Sequence, residues 1–125
     1  MNVRFLTPTP HGLVDYLAAS GLIILPFVLG LGQSQPLAKW LSVAMGAAVI
    51  LVSLLTDYRF GAVRYIPFRL HLVVDALAAT AFAMAPTLFG FAGLDAWYYW
   101  LNAAAVFVVV GLSPTEERAA VMERA

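Results

Sequence analysis

Two pairs of side chains in this 125-residue sequence are of the types from which metal, haem or proton chemistry is built. His11 and Asp15 stand four residues apart, and His71 and Asp75 repeat the pair sixty residues later. On a helix, at about 100° per residue, the members of such a pair share one face. If the two faces meet, four ligand-type side chains converge. His11, Asp15, His71 and Asp75 are therefore candidate ligands for a divalent metal ion, and His11 and His71 for the iron of a b-type haem. A structural reading competes with both and is the one favoured: a His/Asp/Arg network with no resident cofactor. Each aspartate falls in the first or second turn of its helix, where the positive end of the helix dipole favours a carboxylate. Arg4, Arg64 or Arg69 would complete the network by pairing with the aspartates. A proton or solute path along the same face is a further alternative.

Other chemistries have no foothold. With no cysteine there is no disulfide framework, thiolate zinc site, iron–sulfur cluster or thiol redox couple. No phosphate-binding loop, glycine-rich dinucleotide fingerprint or suitably spaced Ser/His/Asp set occurs, and the adjacent Glu116 and Glu117 read as a solvated tail. Enzyme activity has no positive support, so a non-enzymatic protein is expected. Seven basic residues balance seven acidic ones, leaving no net field to attract nucleic acid.

The elements that must position the histidines follow from hydropathy. The chain is 62% hydrophobic and 11% charged, against roughly 25% charged in soluble domains. Its charges leave four uncharged runs, Tyr16–Ala38, Leu41–Thr56, Ala76–Leu94 and Ala96–Thr115. A bilayer core about 30 Å thick needs about 20 apolar residues, fewer where the bilayer thins. The expected spans are His11–Leu31, Leu37–Thr56, Leu70–Phe91 and Ala96–Ser113, an all-α integral membrane four-helix bundle in contact with the lipid bilayer. Trp40 and Tyr58 read as interfacial anchors flanking the second span, and Trp97-Tyr98-Tyr99-Trp100 as an external aromatic belt.

Sliding the chain against itself by sixty residues aligns scarce residue types without a gap: His11 with His71, Asp15 with Asp75, Pro26 with Pro86, Gly30 with Gly90 and Trp40 with Trp100. Residues 1–60 and 61–125 therefore form two tandem two-helix repeats within one domain, the second carrying a short cytoplasmic tail. Two crossings per repeat put both repeats in the same orientation, parallel about an axis along the membrane normal. Arg4, Arg59, Arg64, Arg69, Arg118 and Arg124 fall on the side of the termini and only Lys39 on the other. The positive-inside rule then places both termini and the 57–70 connection in the cytoplasm of a bacterial-type inner membrane. That connection, DYRFGAVRYIPFRL, reads as an amphipathic linker along the headgroups. Pro26 and Pro86 are expected to kink the first and third spans. Ser42, Ser53, Asn102 and Ser113 are expected to hydrogen-bond between helices, with no functional role.

The order Asp-x-Leu, small residues, proline and glycine in the first helix of each unit, with Trp-Leu opening the second, resembles the SPW-repeat membrane proteins. Where that family carries Ser-Pro-Trp, this chain reads Leu25-Pro26-Phe27 and Ala85-Pro86-Thr87, followed by Gly30 and Gly90. The resemblance implies tandem two-helix units and no catalytic residues. The expected function is a structural or accessory role, as a subunit of a larger membrane assembly or as a homo-oligomer. A haem- or metal-binding protein and a small channel or transporter are the alternatives.

Overall fold

The structure, a computed structural model, describes residues 6–113. Arg4, Arg118, Arg124 and the Glu116-Glu117 pair lie outside that range. Four helices run in sequence: α1 (Pro8–Val28), α2 (Leu37–Leu55), α3 (Phe68–Phe89) and α4 (Leu94–Leu112). Each is long and apolar enough to cross a membrane, and there is no strand among the described residues. The expected all-α four-helix bundle is what forms.

Helices α1 and α3 begin two or three residues before the expected spans. Pro8 occupies the first turn of α1, where a missing N–H costs nothing, and Pro67 immediately precedes α3. They end through Gly30 and Gly90, whose φ values of 67° and 72° close the helix as a left-handed residue. The Leu31 and Phe91 N–H groups then donate back to the Pro26 and Pro86 carbonyls at 2.9 and 3.0 Å. Both prolines therefore sit in the last turn of their helices, with no outer helical half left to kink. Pro26 acts instead through the donor it lacks: the Leu22 carbonyl one turn back takes a hydrogen bond from Ser42 at 2.8 Å.

The helices pair as hairpins, α1 with α2 and α3 with α4. Gly46 brings α2 against α1: a Cβ there would lie 2.8 Å from the Ala19 carbonyl oxygen and 2.7 Å from Ile23 Cγ1. The half of the bundle away from the histidines is filled by Leu22, Phe82, Phe91, Tyr98 and Tyr99. This divides the expected aromatic belt. Trp97 and Trp100 are exposed, as is Trp40, whereas Tyr98 and Tyr99 turn inward and donate to Ser42 Oγ and the Ala38 carbonyl. On a helix neighbouring residues point to different sides, so a run of four aromatics cannot all face lipid.

The hairpins are clasped at the end away from the histidines by Asp95, in the first turn of α4. Its carboxylate accepts from the Gly32 and Ser34 N–H groups at 2.9 and 3.0 Å and from the Ser34 hydroxyl. At the other end, the connection from α2 to α3 is mostly exposed but folds back against the helix ends. Thr56 pairs with Ile66 in a parallel bridge, and the Tyr16 hydroxyl donates to the Phe60 carbonyl at 2.8 Å. Tyr58 is buried beneath the helices, so it is not the lipid-facing anchor expected.

Candidate metal centre

His11 and His71 occupy the first turns of α1 and α3, where their N–H groups bond the Thr7 and Pro67 carbonyls at 3.0 Å. Both imidazoles are fully buried. Gly12 makes room for what covers them, since a Cβ at that position would meet Phe60 Cδ2 at 3.0 Å and Tyr58 Cε2 at 3.1 Å. Phe68 presents its ring against the edge of His11 at 5.1 Å and lies stacked near His71 at 6.1 Å. The two histidine rings are themselves edge-on, 5.3 Å apart.

One turn further along each helix, Asp15 and Asp75 meet these rings in a reciprocal arrangement. His11 Nε2 lies 3.2 Å from Asp15 Oδ1 and 3.0 Å from Asp75 Oδ2, and His71 Nε2 lies 2.9 Å from Asp15 Oδ2 and 3.2 Å from Asp75 Oδ2. One ligand atom from each of the four residues falls within 4.8 Å of every other. All four residues singled out from the sequence are thus brought together. Arg64 and Arg69 are not: among the described residues the ion pairs of Asp15 and Asp75 are with histidines, and both arginines are exposed. A buried imidazole already in contact leaves no reason for a guanidinium to give up its hydration.

The far side of each imidazole fixes which nitrogen carries a proton. Ser113 Oγ donates its single proton to the Val109 carbonyl at 2.7 Å, so toward His11 Nδ1, also at 2.7 Å, it accepts. Thr56 Oγ1 donates to the Val52 carbonyl at 2.7 Å and accepts from His71 Nδ1 at 2.6 Å. Both rings therefore carry Nδ1–H and turn Nε2 on two carboxylates. A lone pair facing a carboxylate oxygen at such distances is repulsive, and two buried carboxylates carry two negative charges. Low dielectric demands that they be neutralised. Two added protons, giving two imidazolium ions, or one divalent cation would do so.

The donor set fits a small divalent metal. Four monodentate N and O ligands at about 2.0–2.1 Å from a tetrahedral ion stand about 3.3 Å from one another. The four His–Asp separations run from 2.9 to 3.2 Å, with the two imidazoles meeting different oxygens of Asp15, and one ligand atom from each residue lies within 4.8 Å of the others, so the four side chains would draw together on an ion. Hydroxyl acceptors on both Nδ1–H groups supply the outer contacts that orient metal-ligating histidines, and Tyr58 donates to Asp15 Oδ2 at 3.1 Å. A haem does not fit: both Nε2 atoms already share the same two carboxylates, leaving no slot for a planar macrocycle between the rings.

Sequence reasoning missed Thr56 and took Tyr58 for an interfacial anchor; Ser113 was expected to bond between helices, and its partner is His11. One signal was present: in a bundle of two hairpins the ends of α2 and α4 lie at the same end as the starts of α1 and α3, so a hydroxyl there stands level with the histidines. Pro26, Gly30, Pro86, Gly90, Trp40 and Trp100 lie toward the other end of the bundle and take no part in the centre. No family model, no curated protein and no solved structure matches the chain.

Proposed function

We propose that this chain is a small multi-pass membrane protein whose two hairpins hold one divalent first-row transition-metal ion between His11, Asp15, His71 and Asp75. Zinc suits four N and O ligands in a closed site best. The observation that carries the reading is the convergence of two Nε2 atoms on two carboxylates, with both Nδ1–H groups already engaged by hydroxyls. The ion's role is structural, cross-linking α1 to α3 at the end opposite the Asp95 clasp. The charge bias supports cytoplasmic termini in a bacterial-type inner membrane. Exposed apolar side chains along the helices, such as Leu17 and Leu77, supply surface for docking onto other membrane subunits or further copies.

Elemental analysis of protein purified in detergent from metal-replete cells tests this. The expected result is one equivalent of metal per chain, lost in His11→Ala and His71→Ala while far-ultraviolet circular dichroism keeps its helical signal. Protein that is metal-free and takes up no Zn²⁺, Mn²⁺ or Fe²⁺ on dialysis overturns the reading in favour of a proton-bearing His/Asp lock.

A further inference from the structure

Beside the four-residue centre lie two cavities. The larger, about 120 Å³, is walled by all four helices and reaches Asp15 and Asp75. The smaller, about 50 Å³, lies between α2 and α3 and also touches Asp75. The sixty-residue offset aligns Met45, which borders both cavities, with Ala105, which borders the larger. A methyl group stands where the aligned position has a long side chain, which leaves the larger cavity room. Exposed Ala18 on α1 and exposed Ala105 on α4 form part of its wall, so it is reached from the side of the bundle that faces lipid.

Size and polarity narrow the occupant. An engineered apolar cavity of about 150 Å³ takes up benzene, so about 120 Å³ suits one ring partly projecting from its mouth. Phe82 supplies an aromatic wall, and the remaining surface is almost entirely alkyl. The exceptions are Asp15, Asp75 and Asn102. Asn102 gives one of its two amide N–H groups to the Tyr98 carbonyl at 2.7 Å and keeps its carbonyl oxygen as an acceptor. Asp75 makes its closest contacts to both imidazoles through Oδ2, leaving Oδ1 as a second acceptor. With two carboxylates and an amide carbonyl among the polar lining groups, a ligand that donates a hydrogen bond matches the wall best. It must also be neutral, because the carboxylates are already balanced inside the centre and an added cation would be buried without a counter-charge.

We infer that the cavity binds a ring alcohol dissolved in the bilayer, of the phenol or hydroquinone class, with its hydroxyl donating to Asp75 and its ring against Phe82. This goes beyond the metal reading and does not depend on it, since Asp75 accepts whether protons or a metal ion balance the centre.

Calorimetric titration of the protein in nanodiscs, with empty nanodiscs as the blank, tests the site using 4-propylphenol as probe and propylbenzene and phenethylamine as comparators. One saturable 4-propylphenol site per chain is expected, with propylbenzene about tenfold weaker, the fold-change of one lost hydrogen bond. Phenethylamine should bind more weakly still. Ala105→Met, which copies the aligned position, should remove the saturable phase while leaving metal content and melting temperature unchanged. Ala18→Leu fills the cavity from the opposite wall and should do the same. Equal affinity for propylbenzene, tighter binding of phenethylamine, or unchanged binding in both filled variants overturns the proposal. Titration of both chelator-treated and zinc-loaded protein keeps failure of this site distinct from failure of the metal centre.

Discussion

At the scale of single residues, Ser113 and Thr56 decide what the histidines can do. If either hydroxyl were absent, the imidazole it holds could turn or exchange tautomers and its Nε2 would leave the carboxylates. Ser113→Ala and Thr56→Val are each expected to weaken zinc affinity about 10- to 100-fold, read by competition with a chromophoric chelator. Unchanged affinity would show that the hydroxyls do not orient the rings. Tyr58 works on Asp15 from the opposite direction. Burial pushes its phenol well above the usual range, so it remains a donor to the carboxylate across all ordinary pH. Tyr58→Phe should cost about 1–3 kcal/mol, because a buried carboxylate loses its donor, and denaturation of the detergent-solubilised protein measures it. The His/Asp spacing was legible in the sequence because four residues on a helix is a local relation. The hydroxyl partners were only half legible. The sixty-residue alignment pairs Ser53 with Ser113, yet His71 is held by Thr56, because α2 ends at Leu55 and the bridge from Thr56 to Ile66 turns that hydroxyl toward the ring.

At the scale of elements, close approach and helix termination do most of the positioning. Gly46 lets α2 sit against the Ala19 backbone, so Gly46→Val should force the first hairpin apart and destabilise the protein by about 1–3 kcal/mol, seen as a lower midpoint in sodium dodecyl sulfate unfolding. No such loss would mean that the hairpin is not held by this contact. Proline and glycine spacing predicted that something happens near Pro26 and Pro86. It did not reveal that the helices end within one turn, which depends on whether the next residues can close a left-handed cap. Gly30 and Gly90 can. The connection between the hairpins was read as a surface linker because its arginines and aromatics alternate. Gly12 and the buried Tyr58 and Phe68 instead make part of it the floor of the centre.

At the scale of the whole molecule, the two hairpins are joined by polar contacts at opposite ends, the His/Asp centre at one and the Asp95 clasp at the other. Asp95→Ala should lower the unfolding midpoint, by about 1–3 kcal/mol for the donors it orphans, while leaving the metal content at one per chain. Loss of metal in that variant would mean that the two ends are coupled. The proposed orientation has its own test, made simple by the absence of native cysteine. In intact cells, Gln33→Cys should react with a membrane-impermeant maleimide and Arg59→Cys should react only after lysis; the reverse pattern would invert the topology.

Four helices long and apolar enough to cross a membrane, and the four candidate ligands, were determined by the sequence alone. Apolar length and the i,i+4 relation are properties of a chain read in order, and the lipid environment imposes them before any tertiary contact forms. The tertiary structure alone decided that the aspartates face histidines and not arginines, that Tyr98 and Tyr99 turn inward, and that Asp95 ties the loop at Gly32 and Ser34. His11 and Ser113 are separated by 102 positions and Gly32 and Asp95 by 63, and no periodicity along the chain reports a distance across the bundle.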